Sequence, residues 1–78
     1  MINFYEVMQR MKSILGTQTN KQKVLDKDVA LALQIDPQNY AVLKKRKKIP
    51  YESLAYYSKE NRLNMNWLLF AQKPQYLS

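Results

Sequence analysis

Asp26-Lys27-Asp28-Val29-Ala30-Leu31-Ala32-Leu33-Gln34-Ile35-Asp36-Pro37-Gln38-Asn39-Tyr40-Ala41-Val42-Leu43-Lys44-Lys45-Arg46 reads as two short helices joined by a tight turn. Asp26 or Asp28 can open the first of them, because a carboxylate is favoured beside the positive end of a helix dipole. Leu25, Val29, Ala30 and Leu33 supply its apolar face, and the helix is expected to end near Gln34. Asp36-Pro37 is then a strong second start, with an Asp cap followed by a proline whose missing N–H costs nothing at the first helical position. Tyr40, Leu43 and the stem of Lys44 share one face of this second helix. Lys44-Lys45-Arg46-Lys47-Lys48 ends it, since cations suit a helix C-terminus, and Pro50 prevents its continuation.

A gap of about three residues between two helices is the spacing of a helix-turn-helix. Counting Asp26 as its first position, the fifth is Ala30, where the two helices approach closely and a small side chain is needed. Ile35 is the tenth, Tyr40 the fifteenth and Leu43 the eighteenth, all expected in the hinge between the helices. Gln34 is the ninth, a position that commonly takes positive φ and therefore glycine. In that register the second helix lies in the major groove of DNA, and Gln38, Asn39, Ala41, Val42 and Lys45 occupy its exposed face. Gln and Asn can pair in bidentate fashion with adenine, a small apolar group can touch a thymine methyl, and lysine can reach guanine. Lys44, Arg46, Lys47 and Lys48 are expected to hold phosphate, which gives affinity without sequence information.

Outward from this unit the chain stays helical. Phe4, Val7, Met8, Met11, Ile14 and Leu15 repeat at the spacing of one helix face, with Asn3 as cap and Gly16 as the expected stop. That stripe is expected in the core rather than at a membrane surface, because the polar face opposite is not strongly basic. Residues 17–23 are polar and read as a loop. A fourth helix is expected from Tyr51 to Asn61 with Leu54, Ala55 and Tyr57 inward, and a fifth from Met65 to Ala71, capped by Asn64, with Trp67, Leu68 and Phe70 closing the core. Three tyrosines, Tyr51, Tyr56 and Tyr57, cannot all be buried on one helix, and those left outside are candidates for a homodimer interface. The expected division is a domain over residues 1–72 and a short loose tail over 73–78.

Composition narrows the chemistry. The 78 residues include neither Cys nor His. Disulfides, thiolate metal sites, zinc fingers and a Ser–His–Asp triad are therefore excluded, and no enzyme, cofactor or small-molecule substrate is expected. Thirteen Lys and Arg stand against six Asp and Glu, a formal net charge of +7 that favours a polyanionic partner. No apolar run approaches the roughly 18 residues of a membrane span. The opening Met1-Ile2-Asn3-Phe4-Tyr5-Glu6 lacks the basic-then-apolar order of a signal peptide, so a cytoplasmic protein without a membrane partner is expected.

Residues Ile35 to Pro50 resemble the recognition helix of the bacteriophage CI-type repressor N-terminal domain, in which an apolar residue, a polar cap and often Pro precede a basic helix that closes on Ile-Pro. Leu63-Asn64-Met65-Asn66-Trp67-Leu68-Leu69 resembles that family's closing apolar-Ser-x-Asp-Trp-Leu-Leu segment, in the right order and at the right separation. Together with the first helix the resemblance runs to about Ala71. Leu43 stands where the family usually has Trp, and Gln34, Lys47 and Ala71 stand where it tends to have Gly. The resemblance implies an all-α, five-helix, lambda-repressor-like bundle that binds double-stranded DNA as a transcriptional regulator, usually as a dimer on two half-sites. The alternative is a protein-interaction or antitoxin-like module that reuses the fold without reading bases. RNA binding is a weaker third reading, because the aromatic sheet of single-strand binders is absent.

Overall fold

The computed structural model describes residues 1–77, and among these every regular element is a helix. In order they are α1 (Phe4–Thr19), α2 (Asp26–Ala32), α3 (Pro37–Arg46), α4 (Tyr51–Asn61) and α5 (Met65–Phe70). The chain is thus all-α, with one core. No helix among the described residues is long and apolar enough to cross a membrane.

The α1 stripe organises that core. Phe4, Val7, Met8, Met11, Ile14 and Leu15 are all buried, and Val7, Met11 and Ile14 have no exposed surface at all. Asn3 caps the helix by accepting the N–H of Glu6. Gly16, however, does not stop it. The helix runs on to Thr19, and Asn20 takes the left-handed conformation that ends it, its N–H donating to the Gly16 carbonyl. α2 and α5 both pack on α1, while α3 packs chiefly on α2 and α4 on α5.

Three other expectations about burial need correction. Leu25 is not on the buried face of α2. It precedes the helix as its cap residue and is exposed. Ala55 points outward, because the buried face of α4 is Leu54, Tyr57 and Ser58, and Ala55 lies about 100° away from Leu54 around the helix. Phe70 is 59% exposed. In so short a helix Leu68 alone is fully buried, with Trp67 and Leu69 packed partly against the core. The helix also ends one residue early, at Phe70, with Ala71 as its left-handed cap.

The expected loose tail is tied down over its described part. The Leu77 N–H donates to the Arg62 carbonyl at 2.7 Å and the Asn64 N–H to the Gln75 carbonyl at 2.9 Å, around an isolated antiparallel bridge between Leu63 and Tyr76. The Asn64 side chain adds a bond to the Pro74 carbonyl at 2.8 Å. Ser78 lies outside the described residues. Arg10 performs a second, unanticipated fastening. Its guanidinium donates to the carbonyls of Leu68 at 2.7 Å and Leu69 at 3.1 Å, satisfying late carbonyls of α5 and locking α1 to it.

Among the described residues, five other than glycine adopt positive φ: Asn20, Gln34, Lys47, Arg62 and Ala71. Four are helix caps, and Gln34 lies in the turn between α2 and α3. The chain's single glycine is not among them. Side chains other than Asn and Asp carry a cost of about 1–2 kcal/mol in this region. Gln34→Gly should therefore raise stability by about 0.5–1 kcal/mol, the relieved strain being offset in part by the freer unfolded chain. Gln34→Val should lower it. Thermal unfolding of the two variants checks this, and a Gly variant that melts below the parent would show that the Gln34 side chain contributes more than its strained backbone costs.

Candidate nucleic-acid interface

α2 and α3 are joined by residues 33–36. Asp36 caps α3 by accepting the Gln38 N–H at 2.8 Å, with Pro37 at the first helical position. The turn closes on Ala30, whose carbonyl accepts the Ile35 N–H at 2.8 Å. Ala30 has no exposed surface, as a site of close helix approach requires. Tyr40 is 2% exposed, with its ring 6.0 Å from that of Phe4 at 50°. Ile35 and Leu43 are partly buried against the core. Burial pushes the Tyr40 phenol up to about 12, so this contact stays neutral and apolar at ordinary pH.

With Tyr40 fixed inward, the opposite face of α3 is set. Gln38, Asn39, Ala41, Val42 and Lys45 are all exposed, Val42 at 48%. Neither the Gln38 nor the Asn39 side chain has a hydrogen-bond partner within the described residues, so both amides are free to bind something else. Arg46, Lys47 and Lys48 are exposed as well, and among the described residues they and Lys45 make no ion pair. The end of α3 is closed tightly. Lys47 sits at φ 54°, its N–H reaching the Leu43 and Lys44 carbonyls, and the Lys48 N–H donates to the Leu43 carbonyl at 2.9 Å. Ile49 then turns into the core, 8% exposed. The backbone thus holds three cations around the C-terminal turn of one exposed helix.

Lys44 differs from its neighbours. Its ammonium contacts Asp26 Oδ2 at 2.6 Å, while Lys12 of α1 contacts Asp26 Oδ1 at 3.0 Å. One carboxylate therefore ties α1, α2 and α3 together. The hydrogen bond from Lys44, then that from Lys12, holds the Asp26 carboxyl below its ordinary 3.8, and the same bond raises Lys44. On α2, Asp28 rather than Asp26 acts at the cap, accepting the Leu25 N–H at 2.8 Å, and Lys21 sits on the same oxygen at 2.8 Å. The start of α2 was legible in its acids. Their lysine partners were not, since Lys12 and Lys44 lie 14 and 18 residues from Asp26.

Asp26 is a depressed carboxyl, so its contribution is complete above its unfolded value near 3.8 and is lost as pH falls through the lower folded value. The carboxylate is about a third exposed and screened by solvent, which limits the effect. Asp26→Asn should lower stability by at most about 1 kcal/mol at pH 7 and make a smaller difference at pH 2–3. Urea unfolding at both pH values checks the sign. No family model matches the chain, and neither a curated protein nor a solved structure shows significant similarity to it.

Proposed function

We propose that the chain is a sequence-specific, double-stranded-DNA-binding regulator of the lambda-repressor-like helix-turn-helix type, with α3 as its recognition helix. The observation that carries this is the division of α3 into two faces. Tyr40 is buried, whereas Gln38, Asn39, Ala41, Val42 and Lys45 are exposed on a helix that ends in Arg46, Lys47 and Lys48. Uncommitted amides and small apolar groups suit base edges. Cations at the end of the same helix, without an ion pair among the described residues, suit the phosphates flanking a groove. The net charge of +7 favours encounter with a polyanion of any sequence, so charge alone does not separate a specific reader from a general binder.

A protein-interaction or antitoxin-like module is the alternative, and one observation favours it. Leu31, Tyr56 and Phe70 are each more than half exposed, and they lie on α2, α4 and α5 rather than on α3. The same surfaces also suit a homodimer on a two-fold operator, with Tyr51 and Tyr56 outside and Tyr57 buried.

Selection of bound duplexes from a random pool tests the proposal. Enrichment of a shared motif supports it, a palindrome adds a two-fold dimer, and a pool that stays random removes sequence-specific reading. Within an enriched site, Gln38→Ala and Asn39→Ala should each cost about 1–3 kcal/mol of discrimination where a bidentate contact is lost. Lys47→Gln and Lys48→Gln should instead weaken every duplex alike and lower the salt slope by about 0.9 per phosphate. Anisotropy titrations against matched and mismatched duplexes separate the two behaviours, and identical behaviour of both pairs would sink the assignment of roles.

A further inference from the structure

Asp26 places a negative charge where a polyanion-binding surface would be expected to lack one. Two ammonium groups, from Lys12 on α1 and Lys44 on α3, converge on it, each on its own carboxylate oxygen at 3.0 and 2.6 Å. That is an anion site with a side chain already in it. The site opens toward α3, because Asp26 and Lys44 line one cleft together with Tyr5, Tyr40, Ala41 and Lys45. Ala41 and Lys45 belong to the face assigned above to base edges. On the other side, Lys12 lines a second groove with Lys21 and Lys23. Asp26 therefore separates the cations of α3 from Lys12 and Lys23, with Lys21 held beside them by Asp28 at the start of α2.

We propose that the Asp26 carboxylate is an internal competitor of phosphate. It holds Lys12 and Lys44 out of contact with the DNA backbone, and so restrains affinity for duplex of any sequence while leaving base discrimination to Gln38 and Asn39. This inference rests on α3 being the DNA-binding helix. Its physical basis is counter-ion release, in which each lysine that neutralises a phosphate adds about 0.9 to the dependence of log affinity on log salt. A lysine already neutralised by a carboxylate contributes little to that release, and the carboxylate itself repels the backbone. Restraining the sequence-independent part of binding raises the ratio of specific to non-specific affinity, the quantity that decides occupancy in a genome.

The test is the salt dependence of binding to a short labelled duplex of arbitrary sequence, between about 50 and 300 mM KCl, for the wild type, Asp26→Asn and Glu60→Gln. Glu60 is exposed on α4 and makes no ion pair among the described residues, so its variant changes the net charge equally without releasing a lysine. Asp26→Asn should bind about tenfold tighter or more at about 100 mM salt, with a slope steeper by about 0.9 to 1.8. Glu60→Gln should change affinity less than about twofold at an unchanged slope. In a Lys12→Gln, Lys44→Gln background the gain from Asp26→Asn should shrink to that of Glu60→Gln. Equal effects of the Asp26 and Glu60 variants, or a gain that persists without the two lysines, would overturn the inference. Circular dichroism verifies folding, and Asp26→Ser, a smaller neutral side chain, replaces the Asn variant if that one does not fold. A wild type that binds while its Asp26 variants bind identically removes only the role of Asp26. Absence of binding by all variants at the lowest salt removes the DNA-binding assignment together with it.

Discussion

Burial of the α1 stripe is the constraint on which the rest of the molecule depends. Val7, Met11 and Ile14 are completely enclosed, and burying such side chains contributes about 1.5–3 kcal/mol each. A chain of 78 residues has few other places to gather that much apolar surface. The stripe is covered from two sides by α2 and α5, and α3 and α4 are carried outward on those two helices. α3 is therefore placed at the surface because the core can be completed with only its Tyr40 edge. A helix needed fully in the core could not also present a face to a partner.

The orientation of that face follows from three fastenings. The Asp36 cap with Pro37 fixes where α3 begins. The Tyr40–Phe4 contact fixes its rotation. The Asp26 bridge to Lys12 and Lys44 fixes it against α1 and α2. The first two are short-range or apolar and insensitive to salt. The third is ionic, partly exposed and screened, so it is the fastening that a polyanion can exchange with. Under the proposed function the same carboxylate stabilises the fold modestly and opposes DNA binding, because both effects arise from the two lysines that it engages.

Local rules read from the sequence located what depends on local spacing. All six residues of the α1 stripe, the Asp36-Pro37 start of α3, the Asn64 cap and the extent of α4 belong to this class. Gln38, Asn39, Ala41, Val42 and Lys45 were legible as exposed because Tyr40 sets the phase of their helix. Long-range pairings were not. Arg10 reaching the carbonyls of Leu68 and Leu69, 58 and 59 residues away, leaves no trace in either segment. Lys44 looked like another phosphate-binding cation of the basic run, and only the packing of α2 on α3 brings Asp26 to it. Gly16 misled for the opposite reason. Glycine is the residue best suited to end a helix, but Asn20, which tolerates the left-handed region, carries that duty four residues beyond Gly16.

The positive-φ residues bear on how far the resemblance to phage repressor domains reaches. Gln34, Lys47 and Ala71 stand where that family tends to place glycine, and all three take the left-handed conformation that a glycine would take, at φ 58°, 54° and 60°. The backbone path that favours glycine is therefore present without the glycines. Substitution at such positions leaves the turn in place when the packing around it over-determines the conformation. Here Ala30, Tyr40 and Ile49 are buried around the Gln34 and Lys47 turns, and Arg10 holds the Leu68 and Leu69 carbonyls in the last turn before Ala71. Lys47 also places a cation at the exposed end of α3 where a glycine would offer none. Under the proposed function, strain of about 1 kcal/mol is then accompanied by one more phosphate contact.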